Sequence, residues 1–374
     1  MLECLSCGNK FDAREIERMF FAMEQQLKST FTSQGQQKDL QYFLYLVQTG
    51  SYNKLQQYLK RDWHQKSLED RSDEEDVTGK IVVITGANAG IGKVIALQMA
   101  KRSATVVMAC RNLVKAEAVI NEIKQTVLNP TLILVKLDLG DLESVRNCAK
   151  EIRDKVDHIN ILINNAGYYG VSNDLQRTKD GFEMNLGTNH LGHVLLTHLL
   201  MDLVKKGAPS RIVVVGSLAH ENAILNVDDI NMEIDTRLGF GNTRPYNNSK
   251  LCNMLFAKTL AKRLEGENVN TYTLCPGLVN TDLFAGMPRW QRLAGFSLIM
   301  ASLGCEPEQS AETILYCALS TKCSQESGRA YRFGRPWKEA DENLKDELAE
   351  KVWEVSEKLV GITGSPPQKP PSNK

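Results

Sequence analysis

Ile81-Val82-Val83-Ile84-Thr85-Gly86-Ala87-Asn88-Ala89-Gly90-Ile91-Gly92-Lys93 is a short β-branched run that leads straight into a glycine-rich turn and then into helical periodicity. A run apolar on both faces suits a strand buried inside a parallel sheet. Glycines let the backbone turn tightly and approach a pyrophosphate, and the following helix start offers unpaired N–H groups and a partial positive charge. The turn therefore reads as an anion cradle. A nucleoside-triphosphate loop would need glycine at Ala87 and serine or threonine at Val94, so that reading fails. The common Gly-x-Gly-x-x-Gly fingerprint fails too, because the order here is Gly-x-x-x-Gly-x-Gly.

Outward from this turn, strand-like runs alternate with helical stretches. The runs are Ile81–Ile84, Thr105–Met108, Leu132–Val135, Ile159–Ile163, Ile212–Val215 and Val269–Leu274. Between them, Ile91–Arg102, Lys115–Thr126, Leu142–Lys155 and Leu251–Leu264 have helical length and spacing. The fold expected is α/β, a doubly wound parallel sheet of Rossmann type, with its ligand at the carboxyl ends of the strands.

Composition changes near residue 77. The preceding stretch is polar and ends in Glu69-Asp70-Arg71-Ser72-Asp73-Glu74-Glu75-Asp76, read as a solvated acidic linker, with two short amphipathic helices expected around Leu40–Val47 and Leu55–Leu59. With 374 residues, 42% of them apolar, the chain has room for one domain of ordinary size plus this extension. Lys and Arg number 45 against 45 Asp and Glu, so no global field draws it to nucleic acid. Nine scattered cysteines and the lack of an early apolar leader read as reduced thiols in a cytoplasmic protein. Cys4 and Cys7 lack a second ligand pair nearby, so no metal is assigned. The uncharged run Leu293–Cys305 is shorter than the roughly 20 residues a membrane span needs. With Arg289, Trp290 and Arg292 before it, that run suits either peripheral contact with a membrane surface or, preferably, a lid over an apolar pocket.

Two further features point to chemistry. A carboxylate about 20 residues beyond the glycine turn holds the ribose 2′-hydroxyl of NAD, whereas arginine there accommodates the phosphate of NADP. No acidic residue lies between Gly86 and Ala116, and Arg111 follows the second strand, which favours NADP. Lys93 either adds to this positive field or is a solvated helix lysine. In Tyr246-Asn247-Asn248-Ser249-Lys250, the tyrosine and lysine stand one helical turn apart on one face. An ammonium beside a phenol stabilises the phenolate, and such a pair suits proton exchange with a substrate oxygen.

The chain from about Thr78 to about Gly364 resembles the short-chain dehydrogenase/reductase family. Gly86 to Gly92, Asn164-Asn165-Ala166-Gly167 and Tyr246 to Lys250 match its three motifs in order. The wording of Ala109-Cys110-Arg111-Asn112, Asn189-His190-Leu191-Gly192-His193, Ser217-Leu218-Ala219-His220, Pro276-Gly277 and Trp353 to Gly361 is similar to its retinol dehydrogenase branch. The resemblance implies that Tyr246 is general acid in carbonyl reduction and base in alcohol oxidation. Lys250 would lower its pKa and bind the nicotinamide ribose, Ser217 would bond the substrate oxygen, and Asn189 would support a water-linked proton relay. Gly86, Asn88, Gly90, Ile91, Gly92 and Arg111 would bind the phosphates. Asp138 would contact the adenine amine, Asn165, Ala166 and Gly167 would back the adenine-side pocket, and Pro276, Gly277 and Thr281 would close on the nicotinamide amide.

Taken singly, Ser217 is an ordinary hydroxyl after a strand and Asn189 a cap or buried amide. His190, His193 and His220 are expected to be structural, because the Tyr/Lys chemistry needs no histidine. Gly216 departs from the branch, which commonly has serine there. Residues 1–77 are thus expected as an extension, 78–364 as one catalytic domain and 365–374 as a disordered Pro-rich tail. The expected function is an NADP-dependent oxidoreductase moving hydride between nicotinamide and a carbonyl or alcohol of an apolar substrate of retinoid, steroid or lipid aldehyde type, in lipid metabolism. The alternatives are NAD preference, or a catalytically weak scaffold acting through its extension. A homodimer is compatible with the family.

Overall fold

The computed structural model describes residues 2–3, 10–11, 74–170, 175–234, 243–277, 279 and 306–362. The chain divides into two compact units, Met1–Ser67 with Met287–Gly304, and Leu68–Gly286 with Cys305–Lys374. In the first unit, the described residues form one antiparallel pairing of Leu2–Glu3 with Lys10–Phe11. The expected helices around Leu40–Val47 and Leu55–Leu59, Cys4 and Cys7, the Leu293–Cys305 run and the Pro-rich tail lie outside the described residues.

The second unit holds the glycine turn. Its elements are β1 (Ile81–Thr85), α1 (Gly90–Lys101), β2 (Thr105–Cys110), α2 (Leu113–Thr126), β3 (Leu132–Lys136), α3 (Leu142–Lys155) and β4 (Ile161–Asn164). A π-helical turn at Leu186–Leu191 runs into α4 (Gly192–Leu199), followed by α5 (Met201–Lys206) and β5 (Ser210–Val215). Then come α6 (Arg244–Arg263), β6 (Val269–Cys275), α7 (Pro307–Leu319), β7 (Ala330–Arg332), β8 (Arg335–Pro336), α8 (Lys338–Asn343) and α9 (Asp346–Val360).

The sheet order is β8-β7-β6-β5-β4-β1-β2-β3, parallel except for β8 against β7. Every strand read from the sequence is present. The short β7 and β8 carry no β-branched run and were not foreseen. Alternate strand residues face two cores. Val83, Leu162, Ile212 and Val214 join the face covered by α3, α4, α6 and α9, while Val82, Ile84, Ile163 and Val213 join the face covered by α1, α2 and α7. Burying each such side chain contributes about 1.5–3 kcal/mol, which explains why both faces of these strands are apolar. Strand order reverses between β1 and β4, and a crevice outside the carboxyl ends at that point is where such sheets bind ligands.

Glu74 and Glu75 close the acidic stretch expected to be solvated, yet both are engaged. Glu74 pairs with Arg102 at 2.9 Å, and Glu75 pairs with Arg211, a side chain that is 5% exposed. The Glu75 N–H also donates to the Leu319 carbonyl at 2.7 Å, so the second unit is laced together a few residues before β1. Among the described residues no helix is long and apolar enough to cross a membrane.

Candidate active site

The glycine turn is built against the Asn164–Gly167 turn at the switch point. Gly86 has φ +68°, and a Cβ on it would come within 3.0 Å of the Ala166 Cβ. A Cβ on Gly92 would fall 2.3 Å from the Gly86 carbonyl oxygen and 2.7 Å from Asn165 Nδ2. Both glycines are therefore demanded by close packing. Gly90, with φ +49°, opens α1, and Ile91 packs against the core beneath. Ala89 stands at the N-cap and supplies no side-chain acceptor, so no side chain covers the first-turn N–H groups. That end of a twelve-residue helix fits a pyrophosphate.

Beside it lies the turn after β2. Asn88 Nδ2 donates to the Asn112 carbonyl at 3.3 Å, Asn112 Oδ1 caps α2 by accepting from the Lys115 N–H at 2.9 Å, and Lys136 Nζ donates to the Arg111 carbonyl. The backbone of this turn is thus held from three sides while the Arg111 side chain is exposed. Among the described residues Arg111 makes no ion pair, whereas Lys93 is paired with Glu122. Asp138 follows β3, its N–H donating to Ser144 Oγ at 2.9 Å and its Oδ1 accepting from the Gly140 N–H at 3.1 Å.

The turn after β4 is fastened by Thr85, the last residue of β1, to which the sequence reading gave no role. Its Oγ1 accepts from the N–H groups of Asn165 and Ala166, each at 2.9 Å, and Asn165 Nδ2 donates to the Thr85 carbonyl at 2.9 Å. Gly167 is exposed at the head of the turn. Asn189 is fully buried in the π-helical turn. Its Oδ1 accepts from the Tyr168 N–H at 2.6 Å, and its Nδ2 donates to the Tyr168 carbonyl and to Ser249 Oγ, each at 2.9 Å. Ser249 in turn donates to the Tyr246 carbonyl at 2.7 Å.

Tyr246 and Lys250 lie in the first two turns of α6, with Pro245 pre-set for the helix start. Lys250 Nζ donates to the Val215 carbonyl at 3.1 Å and stands 5.7 Å from the centroid of the Tyr246 ring. Tyr169 packs edge-on against Tyr246, with ring centroids 4.7 Å apart. Ser217 directly follows β5 and its short connector Gly216. Its Oγ accepts from the Ala219 N–H at 3.2 Å, and its side chain acts to lower the pKa of the neighbouring Tyr246 phenol.

Burial pushes the Tyr246 phenol above its usual value, against the opposing effect of the Ser217 hydrogen bond. Burial likewise lowers the Lys250 ammonium to about 8, with Cys275 acting the other way. The net direction for the phenol is opposite to the lowering expected from Lys250, because desolvation of a buried phenolate outweighs its neighbours. A protonated phenol is the form that donates to a carbonyl oxygen.

Pro276 and Gly277, the latter at φ +88°, follow β6 on the same rim of the sheet. Thr281 lies outside the described residues. The structure therefore brings the glycine turn, Arg111, Asp138, Asn165–Gly167, Asn189, Ser217, Tyr246, Lys250 and Pro276–Gly277 to the carboxyl ends of neighbouring strands. Besides Thr85, it adds Ser249, Tyr168, Tyr169 and Cys275. Their only signal in the sequence is adjacency to motif residues.

Residues 80–228 match the short chain dehydrogenase family. Over 286 residues the chain is 40% identical to retinol dehydrogenase 11 of Homo sapiens, covering 76% of this chain and 86% of that one. This protein belongs to the short-chain dehydrogenase/reductase family. It is retinol dehydrogenase-like within it, being also 37% identical to retinol dehydrogenase 13 of Homo sapiens over 293 residues, 76% of this chain and 86% of the relative. A crystal structure from Mycobacterium paratuberculosis superposes with a TM-score of 0.60 at 31% identity, covering 78% of this chain and 96% of that one. A short-chain type dehydrogenase/reductase from Mycobacterium marinum, at 23% identity and a TM-score of 0.56, shares the fold over 69% of this chain and 94% of its own. Members of this family bind a nicotinamide cofactor, and this chain is an oxidoreductase that transfers hydride between such a cofactor and a CH–OH or C=O group of a small molecule.

Proposed function

We propose that the enzyme uses NADP(H) and acts on an apolar carbonyl or alcohol of retinoid, steroid or lipid aldehyde type. One observation carries the cofactor choice. The exposed Arg111 side chain has no ion-pair partner among the described residues, and no carboxylate occurs from Gly86 to Ala116. A ribose 2′-phosphate would meet a guanidinium there, and NAD would miss its usual carboxylate.

When bound, the nicotinamide ring supplies or accepts the hydride. The protein's part is to bind, orient and exchange the proton. In carbonyl reduction the Tyr246 phenol donates its proton to the substrate oxygen as alkoxide character develops, and Ser217 donates a hydrogen bond to the same oxygen. Lys250 sets the charge beneath the phenol and holds the nicotinamide ribose. The glycine turn Gly86–Gly92 would bind the pyrophosphate, Asp138 with Asn165–Gly167 would bind the adenine end, and Pro276 and Gly277 would close on the nicotinamide amide. The apolar substrate class rests on the retinol dehydrogenase likeness.

The test is the ratio of kcat/KM with NADPH to that with NADH, using retinal, steroid ketones and medium-chain aldehydes. The expected ratio is well above one, and Arg111→Ala lowers the NADPH value about 10- to 100-fold, the equivalent of one charge-assisted contact, while sparing NADH. A preference for NADH overturns the cofactor assignment, and turnover of polar carbonyls alone overturns the substrate class. Failure to bind NADPH at all would instead favour a scaffold.

A further inference from the structure

The sequence leaves His193 as a structural histidine, and its surroundings give it a more specific task. The ring is 2% exposed, at the start of α4. Nδ1 lies 2.8 Å from the Asn189 carbonyl oxygen, which can only accept, so Nδ1 carries the proton. In a neutral ring Nε2 is then a bare acceptor. Its partner at 2.9 Å is Thr85 Oγ1. The Thr85 hydroxyl already accepts from Asn165 and Ala166 and has one proton to give, so it gives it to His193. Buried among these groups, with the Lys250 ammonium nearby, the imidazole is held neutral, at a pKa of about 4.

The result is one continuous network. It runs from the Asn165–Ala166 turn through Thr85 and His193 to the Asn189 carbonyl, and through the Asn189 amide to Tyr168, Ser249 and the Tyr246 backbone. We infer that His193 is a positioning residue for hydride transfer, a neutral Nδ1–H hub that ties the floor of the cofactor cradle to the π-helical turn holding Asn189 and Tyr246 in place. It touches neither cofactor nor substrate. This rests on the assignment of Tyr246 as the proton donor.

An apolar ring at this position removes the side-chain donor from the Asn189 carbonyl, whereas Thr85 still accepts from the turn and turns its proton to the Ile163 carbonyl at 3.4 Å. The loss is therefore expected in chemistry more than in cofactor binding. With full-length protein, NADPH and retinal, His193→Phe is expected to lower kcat about 10- to 100-fold, the scale of a misplaced reacting group, with KM for NADPH within about threefold. His193→Asn places an amide donor where Nδ1 stood and is expected to recover most of that loss. An unchanged kcat in His193→Phe overturns the inference, as do equal losses in both variants that track a falling Tm. A second readout needs no turnover. In protein labelled with 15N-histidine at pH 7.5, the signals missing from His193→Asn are expected to report Nδ1–H and a bare Nε2. An Nε2–H tautomer or an imidazolium overturns the hub, whether or not retinal is a substrate. Absence of turnover in the unmutated protein counts against the proposed function alone.

Discussion

Lys250 is a charge held where water does not reach it, and its role and its cost come from the same burial. Its folded pKa of about 8 lies below the ordinary 10.5, so at neutral pH the folded state carries a penalty that fades as pH rises from 8 to 10.5. At about 1.4 kcal/mol per unit the penalty is on the order of 3 kcal/mol. Lys250→Met is accordingly expected to abolish turnover while raising stability by about 1–3 kcal/mol, measured by urea unfolding at pH 7. In the unmutated enzyme, carbonyl reduction is expected to decline above about pH 8 as the ammonium loses its proton, and a pH–rate profile reads this directly. Tyr246→Phe removes only the phenolic oxygen and is expected to lower kcat about 100-fold or more with Tm nearly unchanged. Gly216 illustrates a residue whose identity is set by its neighbours. A Cβ there would lie 2.8 Å from Met254 Cγ and 3.0 Å from the Leu274 carbonyl oxygen. Gly216→Ser is expected to cost about 1–3 kcal/mol through overpacking, read by the same denaturation.

At the scale of elements, the segment Leu186–Leu199 and the helix α9 behave as a pair. His190 bridges them, its Nδ1 3.2 Å from Asn253 Oδ1 on α6 and its Nε2 2.7 Å from Ser356 Oγ on α9. Phe256 of α6 stacks on Trp353 of α9 with centroids 5.2 Å apart. Burial lowers His190 to about 3 and His193 to about 4, both below the ordinary 6.5. Each is neutral in the folded state while the unfolded chain takes up protons, so stability is full above pH 6.5 and is lost as pH falls towards those values. Between pH 6 and 5 the two together are expected to remove about 2–3 kcal/mol, and His190→Gln to roughly halve that slope, in urea midpoints measured against pH. Helix α3 has the bounds that its apolar periodicity predicts, and Asp141 caps its start, accepting from the Glu143 N–H at 3.0 Å. In the helix carrying Tyr246, apolar periodicity marks only the part from Leu251, the Tyr-x-x-x-Lys spacing carries it back to Tyr246, and it starts at Arg244. Its first turns hold Tyr246, Asn247, Asn248 and Ser249, polar residues buried by the site itself, so apolar periodicity does not reveal them.

Across the whole molecule, the ion pairs before β1 tie the chain ahead of the sheet to distant elements of the same unit. Arg211, on β5, donates to the carbonyls of Cys317 at 3.1 Å and Ser320 at 2.8 Å as well as to Glu75. Glu75→Ala strands that buried guanidinium without a counter-charge and is expected to cost about 3 kcal/mol, seen as a Tm lowered by several degrees, with Glu75→Gln in between. Nothing local marks Glu75 apart from its acidic neighbours, since its partner lies 136 positions away.

The alternation of strands and helices and the need for glycine at positions 86 and 92 followed from the chain alone. So did the pairing of Tyr246 with Lys250 on one helix face, because periodicity, backbone freedom and helical spacing act over a few residues. The order β8-β7-β6-β5-β4-β1-β2-β3 was settled by packing of distant segments. Packing also settled the Thr85–His193–Asn189 network, the capture of Glu74 and Glu75, and the upward displacement of the Tyr246 phenol. Burial and long-range hydrogen bonding exist only once both faces of the sheet are covered.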